Sequence, residues 1–234
     1  MTEAENFYEI ARLVGEDELY LTSDDESIKK CKLNNETKIE FNLGSDENNL
    51  IQTIKSLGKI NDMLDIDSLI LNNKDDIYKF YNLLTNKIKI NDIKLLYRAN
   101  RDGLKLNNLK DKINNKSNLI FLFLTGNNRI FGSFIHSNVQ VEHNKYIMDN
   151  DAFVFSLNNN KIYNILEPEY AIRFYDGFPI IIGNNGKGNG FYFDSGTIYD
   201  EGLLNAKVYD FQKNNELTEG DNKFIELEVF EVKF

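Results

Sequence analysis

The chain has 234 residues, 41% of them hydrophobic and 27% charged, and a formal net charge of −10. That apolar share can bury a core over one generous domain, or over an ordinary domain with an appendage. The acidic balance repels phosphate backbones and anionic lipid headgroups and argues against a nucleic-acid binder.

The lone cysteine, Cys31, cannot form an internal disulfide, and with only two histidines it leaves no ligand set for zinc. The acidic start MTEAENFYEI is unlike a secretory signal, and no apolar run reaches the ~18 residues of a membrane span. An intracellular, cytoplasmic protein without a transmembrane segment is expected. No metal and no cofactor are expected.

Residues 1–66 are acidic and broken, with SDDES and GSDENN separating short apolar stretches. Leu19, Tyr20 and Leu21, and then Ile39, Phe41 and Leu43, suggest strands. Leu50, Ile51, Ile54 and Leu57 share a helical face that Gly58 ends. This segment reads as an accessory region, followed by a main domain over 67–234.

A helix is predicted over 74–86, with Asn72 or Asn73 as cap, Asp75 and Asp76 at its positive end, and Ile77, Phe80, Tyr81 and Leu84 inward. The strand DIKLLYRA follows, then a helix over 104–113 with Leu106, Leu109 and Ile113 inward. From 118 onward strands dominate. NLIFLFL, TGNN and RIFGSFI form a hairpin whose turn is expected to draw its positive φ angles from Gly126 and Asn127.

Further strands are predicted at 151–157, 161–165, 170–174, 178–182, 190–193 and 223–233. In the last of these, Ile225, Leu227 and Val229 alternate with Glu226 and Glu228, after which Phe230, Val232 and Phe234 take the other parity. A bulge near 229–230 accounts for the switch. The class expected is α+β: a two-sheet antiparallel β-sandwich flanked by helices.

Catalytic signatures are weak. GNNGKGNG at 183–190 departs from a P-loop, because Gly188 follows Lys187 and a strand comes next; a turn is the better reading. His136 and His143 lack a recognisable orienting carboxylate and nucleophile. Ser156 has no nucleophile elbow around it. Cys31, between lysines, has no resolving partner. Glu167 with Glu169, and Asp200 with Glu201, are expected to be solvated, as they fit neither an EF-hand nor a placed glycosidase pair. Glu226, Glu228 and Glu231 read as the exposed side of the last strand, with Glu226 and Glu228 as a stripe that could contact a basic partner. No catalytic residue is assigned.

LLYRANRDG at 95–103, NLIFLFL, RIFGSF, DAFVFSL, NELTEG at 215–220 and FIELEVFEV at 224–232 together resemble, in order and spacing, the TLDc domain, over 67–234 from DSLILNN onward. The family's Phe-His-x-x-Cys helix is replaced by Leu109, Lys110 and Ile113, its tryptophan is missing, and its Phe-Gly-Gly-Gly stretch is matched only loosely by 183–190. The resemblance implies a β-sandwich edged by helices, a link to oxidative-stress resistance, and a non-enzymatic module that binds and regulates a large complex, the V-type proton ATPase first. Such a module would sit peripheral to a membrane complex.

Matching motif positions are Arg98, Arg101, Asp102, Gly103 and Gly132. Arg98, Arg101 and Asp102 are expected to form a buried or half-buried ion-pair network, and Gly132 to allow a close backbone approach or a bulge. Two alternatives stand beside this reading. One is a structural component of another assembly, anchored by residues 1–66; the other is an antioxidant or hydrolytic enzyme using Cys31 or a histidine with a carboxylate.

Overall fold

The computed structural model describes residues 66–174, 180–186, 189–194 and 196–234, together with Glu18–Leu19 and Cys31–Lys32. The chain divides into two compact units, Met1–Asp62 and Met63–Phe234. In the first, β1 (Glu18–Leu19) pairs antiparallel with β2 (Cys31–Lys32), Glu18 opposite Lys32. The strand expected at 39–43 and the helix after GSDENN lie outside the described residues.

The second unit opens with a segment that buries Ile70 and Leu71, followed by helix α1 (Lys74–Thr85). Asn73 caps it in extended conformation, its side chain accepting from the Asp76 N–H, with Asp75 and Asp76 in the first turn. Ile77, Phe80, Tyr81 and Leu84 are buried as the periodicity predicts, and Leu83 joins them. Each such side chain is worth about 1.5–3 kcal/mol on leaving water.

Strand β3 (Asp92–Arg98) passes directly into the one-turn helix α2 (Ala99–Asp102), which the periodicity does not signal, and then α3 (Leu106–Ile113). Strands β4 (Leu119–Thr125) and β5 (Ile130–Ile135) form the hairpin. Its turn differs from expectation in detail. Asn128 takes the left-handed conformation at φ 59°, and neither Gly126 nor Asn127 has positive φ. A residue after the turn proper absorbs the twist mismatch, as in longer hairpin loops. At Gly126 a Cβ would lie 2.9 Å from Asp221 Oδ2 and 3.1 Å from Lys223 Cδ, so a larger residue would displace those side-chain ends.

Then come β6 (Lys145–Ile147), β7 (Phe153–Ser156), β8 (Lys161–Asn164), a 3₁₀ turn at Pro168–Tyr170, β9 (Ile172–Phe174), β10 (Ile180–Asn184), β11 (Asn189–Asp194), β12 (Thr197–Tyr199), the short helix α4 (Leu203–Ala206) and β13 (Phe224–Lys233). The strands form two antiparallel sheets. One has the order β3-β13-β4-β5-β7-β8, the other β12-β11-β10-β9-β6. With α1 to α4 around them, they make a β-sandwich with flanking helices.

The six-stranded sheet is covered on both faces, which is why β4 is apolar without alternation. Leu119, Phe121 and Phe123 join the core shared with the second sheet; Ile120 and Leu122 join Phe80 and Leu84 in the layer beneath α1. At the inter-sheet centre Phe123 stacks on Phe131 at 5.7 Å, and Phe191 meets both edge-on at 5.4 Å, a favourable arrangement of ring quadrupoles. The pairing of β13 with β3 shifts register between Val229 and Phe230, where the parity switch places it.

Candidate functional site

The motif residues of β3 and α2 meet the last strand across 130 positions of sequence. The Arg98 guanidinium donates from Nε to Glu228 Oε1 at 2.7 Å and from Nη2 to Asp67 Oδ1 at 2.8 Å. Glu228 is fully buried and Asp67 exposed. The same buried carboxylate accepts the Leu69 N–H at 2.8 Å and the Ser68 hydroxyl. Three segments distant in sequence are thereby tied through one side chain.

Asp102 is oriented differently. Its Oδ2 accepts the N–H of Arg98 at 3.0 Å, so it caps the start of α2, and the Arg101 guanidinium forks onto both its oxygens at 3.0 and 2.8 Å. The Arg101 hydrogen bond holds the Asp102 carboxyl below its ordinary value, burial opposing. Gly103 closes α2 at φ 87°, its carbonyl accepting from the Tyr97 hydroxyl at 2.8 Å. Burial, with Asp102 and Glu226 nearby, pushes the Tyr97 phenol up to about 12. Gly132 is a close approach inside the sheet, where a Cβ would run into the Phe121 carbonyl oxygen and lie 2.6 Å from Phe155 Cζ.

Glu226 and Glu228 correct the sequence reading. They are 2% and 0% exposed and make internal hydrogen bonds, so they form no contact stripe. Their alternation with apolar residues resembles a half-exposed strand, but β13 lies between β3 and β4, and its polar side is met by Asp67–Leu69, Arg98 and Asn100. Glu231 is part-exposed and pairs with Lys116 at 3.1 Å.

Glu226 Oε1 accepts from the Asn100 and Leu227 N–H groups at 3.1 and 2.9 Å, while its Oε2 has no partner among the described residues. Burial raises its carboxyl above the usual range despite those donors. A raised folded pKa adds stability that is complete below the unfolded value and is lost as pH rises through the folded one. Glu226→Gln is therefore expected to raise Tm at about pH 8 and leave it unchanged at about pH 4, near the unfolded carboxyl pKa. Equal Tm shifts at both pH values in thermal melts would exclude ionisation as the cause.

Asp200 is also buried, where a solvated carboxylate was expected. Its Oδ2 accepts the Leu217 and Thr218 N–H groups, both at 3.0 Å, and its Oδ1 the Thr218 hydroxyl at 2.7 Å. It fixes the NELTEG segment, and burial raises its carboxyl against the pull of those donors. Within that segment Glu216 accepts from Lys161 Nζ at 3.1 Å and Gln212 N–H at 2.9 Å; burial pushes its carboxyl up, but these partners bring it below the usual value. Glu201 and Glu169 are exposed and Glu167 half-buried, where it accepts from Asn185.

Ser156 is a buried strand residue whose hydroxyl accepts the Asn159 N–H. The rings around His136 are Phe134 and Phe234, while the neighbouring Asp149 carboxylate accepts the backbone N–H groups of His136, Ser137 and Asp151. His143 is exposed and bridges Phe174 through its backbone. The GNNGKGNG segment links β10 to β11, with Gly186 at φ 80° and Lys187 and Gly188 outside the described residues. No cluster of three or more His, Cys, Asp or Glu with metal-holding geometry occurs among the described residues.

Sequence reasoning missed Asp67, Ser68 and Asp149. For Asp149 a signal was present in MDNDAF, where an Asp just before a strand is suited to capping the turn's N–H groups.

No curated protein matches the chain. The TLDc domain matches residues 65–233, more than half of its length. Over that span lie the Arg98 ties, the close approach at Gly132 and the Asp200 anchor of NELTEG, and the chain belongs to the TLDc domain family.

Proposed function

We propose that this protein is a non-enzymatic interaction module that binds and regulates a large complex, with the V-type proton ATPase as the first candidate and a role in oxidative-stress resistance. The observation that carries this is membership of the TLDc family, a family linked to oxidative stress and generally non-catalytic. The net charge of −10 favours a basic docking face on the partner. With Glu226 and Glu228 buried, exposed carboxylates such as Asp111 and Glu169 are better placed to meet it. No helix among the described residues is long and apolar enough to cross a membrane, so the module would attach to its complex peripherally.

Affinity purification of the tagged full chain from its native cells, with mass spectrometry, tests this. V-type ATPase subunits are expected, and they should persist when residues 1–66 are removed. Their absence from both samples removes the named partner. The division of the chain at Asp62 and Met63 favours a second reading, in which the first unit anchors the TLDc domain in another assembly. Under that reading the recovered complex differs, and it is lost on deletion of 1–66.

A further inference from the structure

A cavity of about 420 Å³ opens at one end of the six-stranded sheet, between the turn after α1 and the ends of β5, β7, β8 and β13. Its volume falls in the range that takes a small organic molecule, ~300–1,000 Å³. One wall is aromatic. Phe134 stacks on Phe153 at 5.2 Å and 28°, Phe234 meets Phe134 edge-on at 6.3 Å, and the His136 ring lies 6.2 Å from Phe234.

Phe234 is 47% exposed although it belongs to this cluster. Phe134 and Phe153 are buried beneath, so the aromatic surface open to solvent is that of Phe234 and the exposed His136 ring, which a planar ring can cover by stacking or edge contact.

The lining also carries charge. Lys87 and Lys89 line the cavity, both are exposed, and among the described residues neither side chain has an ion-pair partner. In a chain with 37 acidic residues against 27 basic ones, two unpaired ammonium groups at one mouth are a local reversal of sign. The carboxylate lining the same cavity, Asp151, is exposed, and the adjacent Asp149 is committed to three backbone N–H groups. A cavity with a cationic lip and low-dielectric walls concentrates anions.

We propose that this cavity binds a small aromatic anion, its ring against Phe234 and His136 and its anionic group held by Lys87 and Lys89. The lysines select the charge, and the Phe234 and His136 rings the planar body. A simple inorganic anion would leave the aromatic wall wet, and a neutral aromatic would leave the ammonium groups without a partner. The site is independent of any partner complex, and its test does not depend on the interaction reading above.

The probe is anilinonaphthalene sulfonate, titrated by fluorescence against the folded full-length chain, with the uncharged phenylnaphthylamine as comparison. Saturable one-to-one binding is expected, with the neutral analogue weaker by about tenfold or more. The double variant Lys87→Glu, Lys89→Glu should keep the wild-type Tm and lose about tenfold or more in affinity for the sulfonate, but not for the neutral analogue. Phe234→Ser should weaken both.

Absence of saturable binding, equal affinity in the lysine variant, or binding that develops only as the protein unfolds would each overturn the proposal. Probe affinity that falls as protein concentration rises would give the cavity to a second copy of the chain and overturn it equally.

Discussion

Arg98→Ala is expected to destabilise the domain by about 3–5 kcal/mol, because it removes the only cation that pairs with the fully buried Glu228 among the described residues. Glu228 would retain the Leu69 N–H and the Ser68 hydroxyl, but two neutral donors do not replace a guanidinium in a medium of low dielectric. The exposed half of the fork matters little: Asp67 is 70% solvated, and Asp67→Ala should cost under about 1 kcal/mol. Arg98→Lys should fall between, since an ammonium keeps the charge but cannot reach both partners with fixed geometry. Urea unfolding at neutral pH measures all three. A loss below about 1 kcal/mol for Arg98→Ala would mean that Glu228 finds water or another donor when its partner goes.

Asp200→Ala should be of similar size. It strands two buried N–H groups and one buried hydroxyl, each costing about 1–3 kcal/mol when unsatisfied. Asp200→Asn separates hydrogen bonding from charge. Its amide oxygen can accept the Leu217 and Thr218 N–H groups, its amide nitrogen can donate to the Thr218 oxygen, and the Thr218 hydroxyl can turn to Asn222 Oδ1 at 3.4 Å. A loss below about 1.5 kcal/mol is expected for the amide.

The amide should also flatten the pH profile. The folded Asp200 carboxyl lies above its unfolded value, so its stabilisation is complete at acid pH and declines as pH rises through the folded pKa. The gap between wild type and Asp200→Asn should therefore be widest near about pH 4 and narrow toward neutrality. An equally wide gap at both ends would place the cause in geometry rather than charge.

Both carboxylates show where sequence reading succeeds and where it stops. The helix capped by Asn73, the β4–β5 hairpin and the shift at Val229 and Phe230 were legible because each is set by neighbours within a few residues. Strands β6 and β12 are three residues long, too short for a period to show. The burial of Glu226, Glu228 and Asp200 was illegible for a different reason. A carboxylate is buried when its partners are supplied, and here they come from Asn100, Arg98 and Thr218, far along the chain or across a loop. Alternation along β13 shows two faces but not what covers the second. The cavity walls escaped notice likewise, since Lys87, Phe134 and Phe234 become neighbours only when the sheet closes.

The place of β13 has a consequence for biosynthesis. It is made after every other described strand of the domain, yet it sits between β3 and β4 and is bonded to both. While the chain is emerging, β3 has no neighbour in the sheet, and β4 has only β5. The two sides must wait, with apolar faces uncovered, until residues 224–233 arrive to join them. Long-range pairing of this kind folds late and leaves a vulnerable interval. The six-stranded sheet is thus completed only once residues 224–233 have emerged, and a message truncated before Phe224 would yield a sheet in two pieces, fit for degradation rather than partial function.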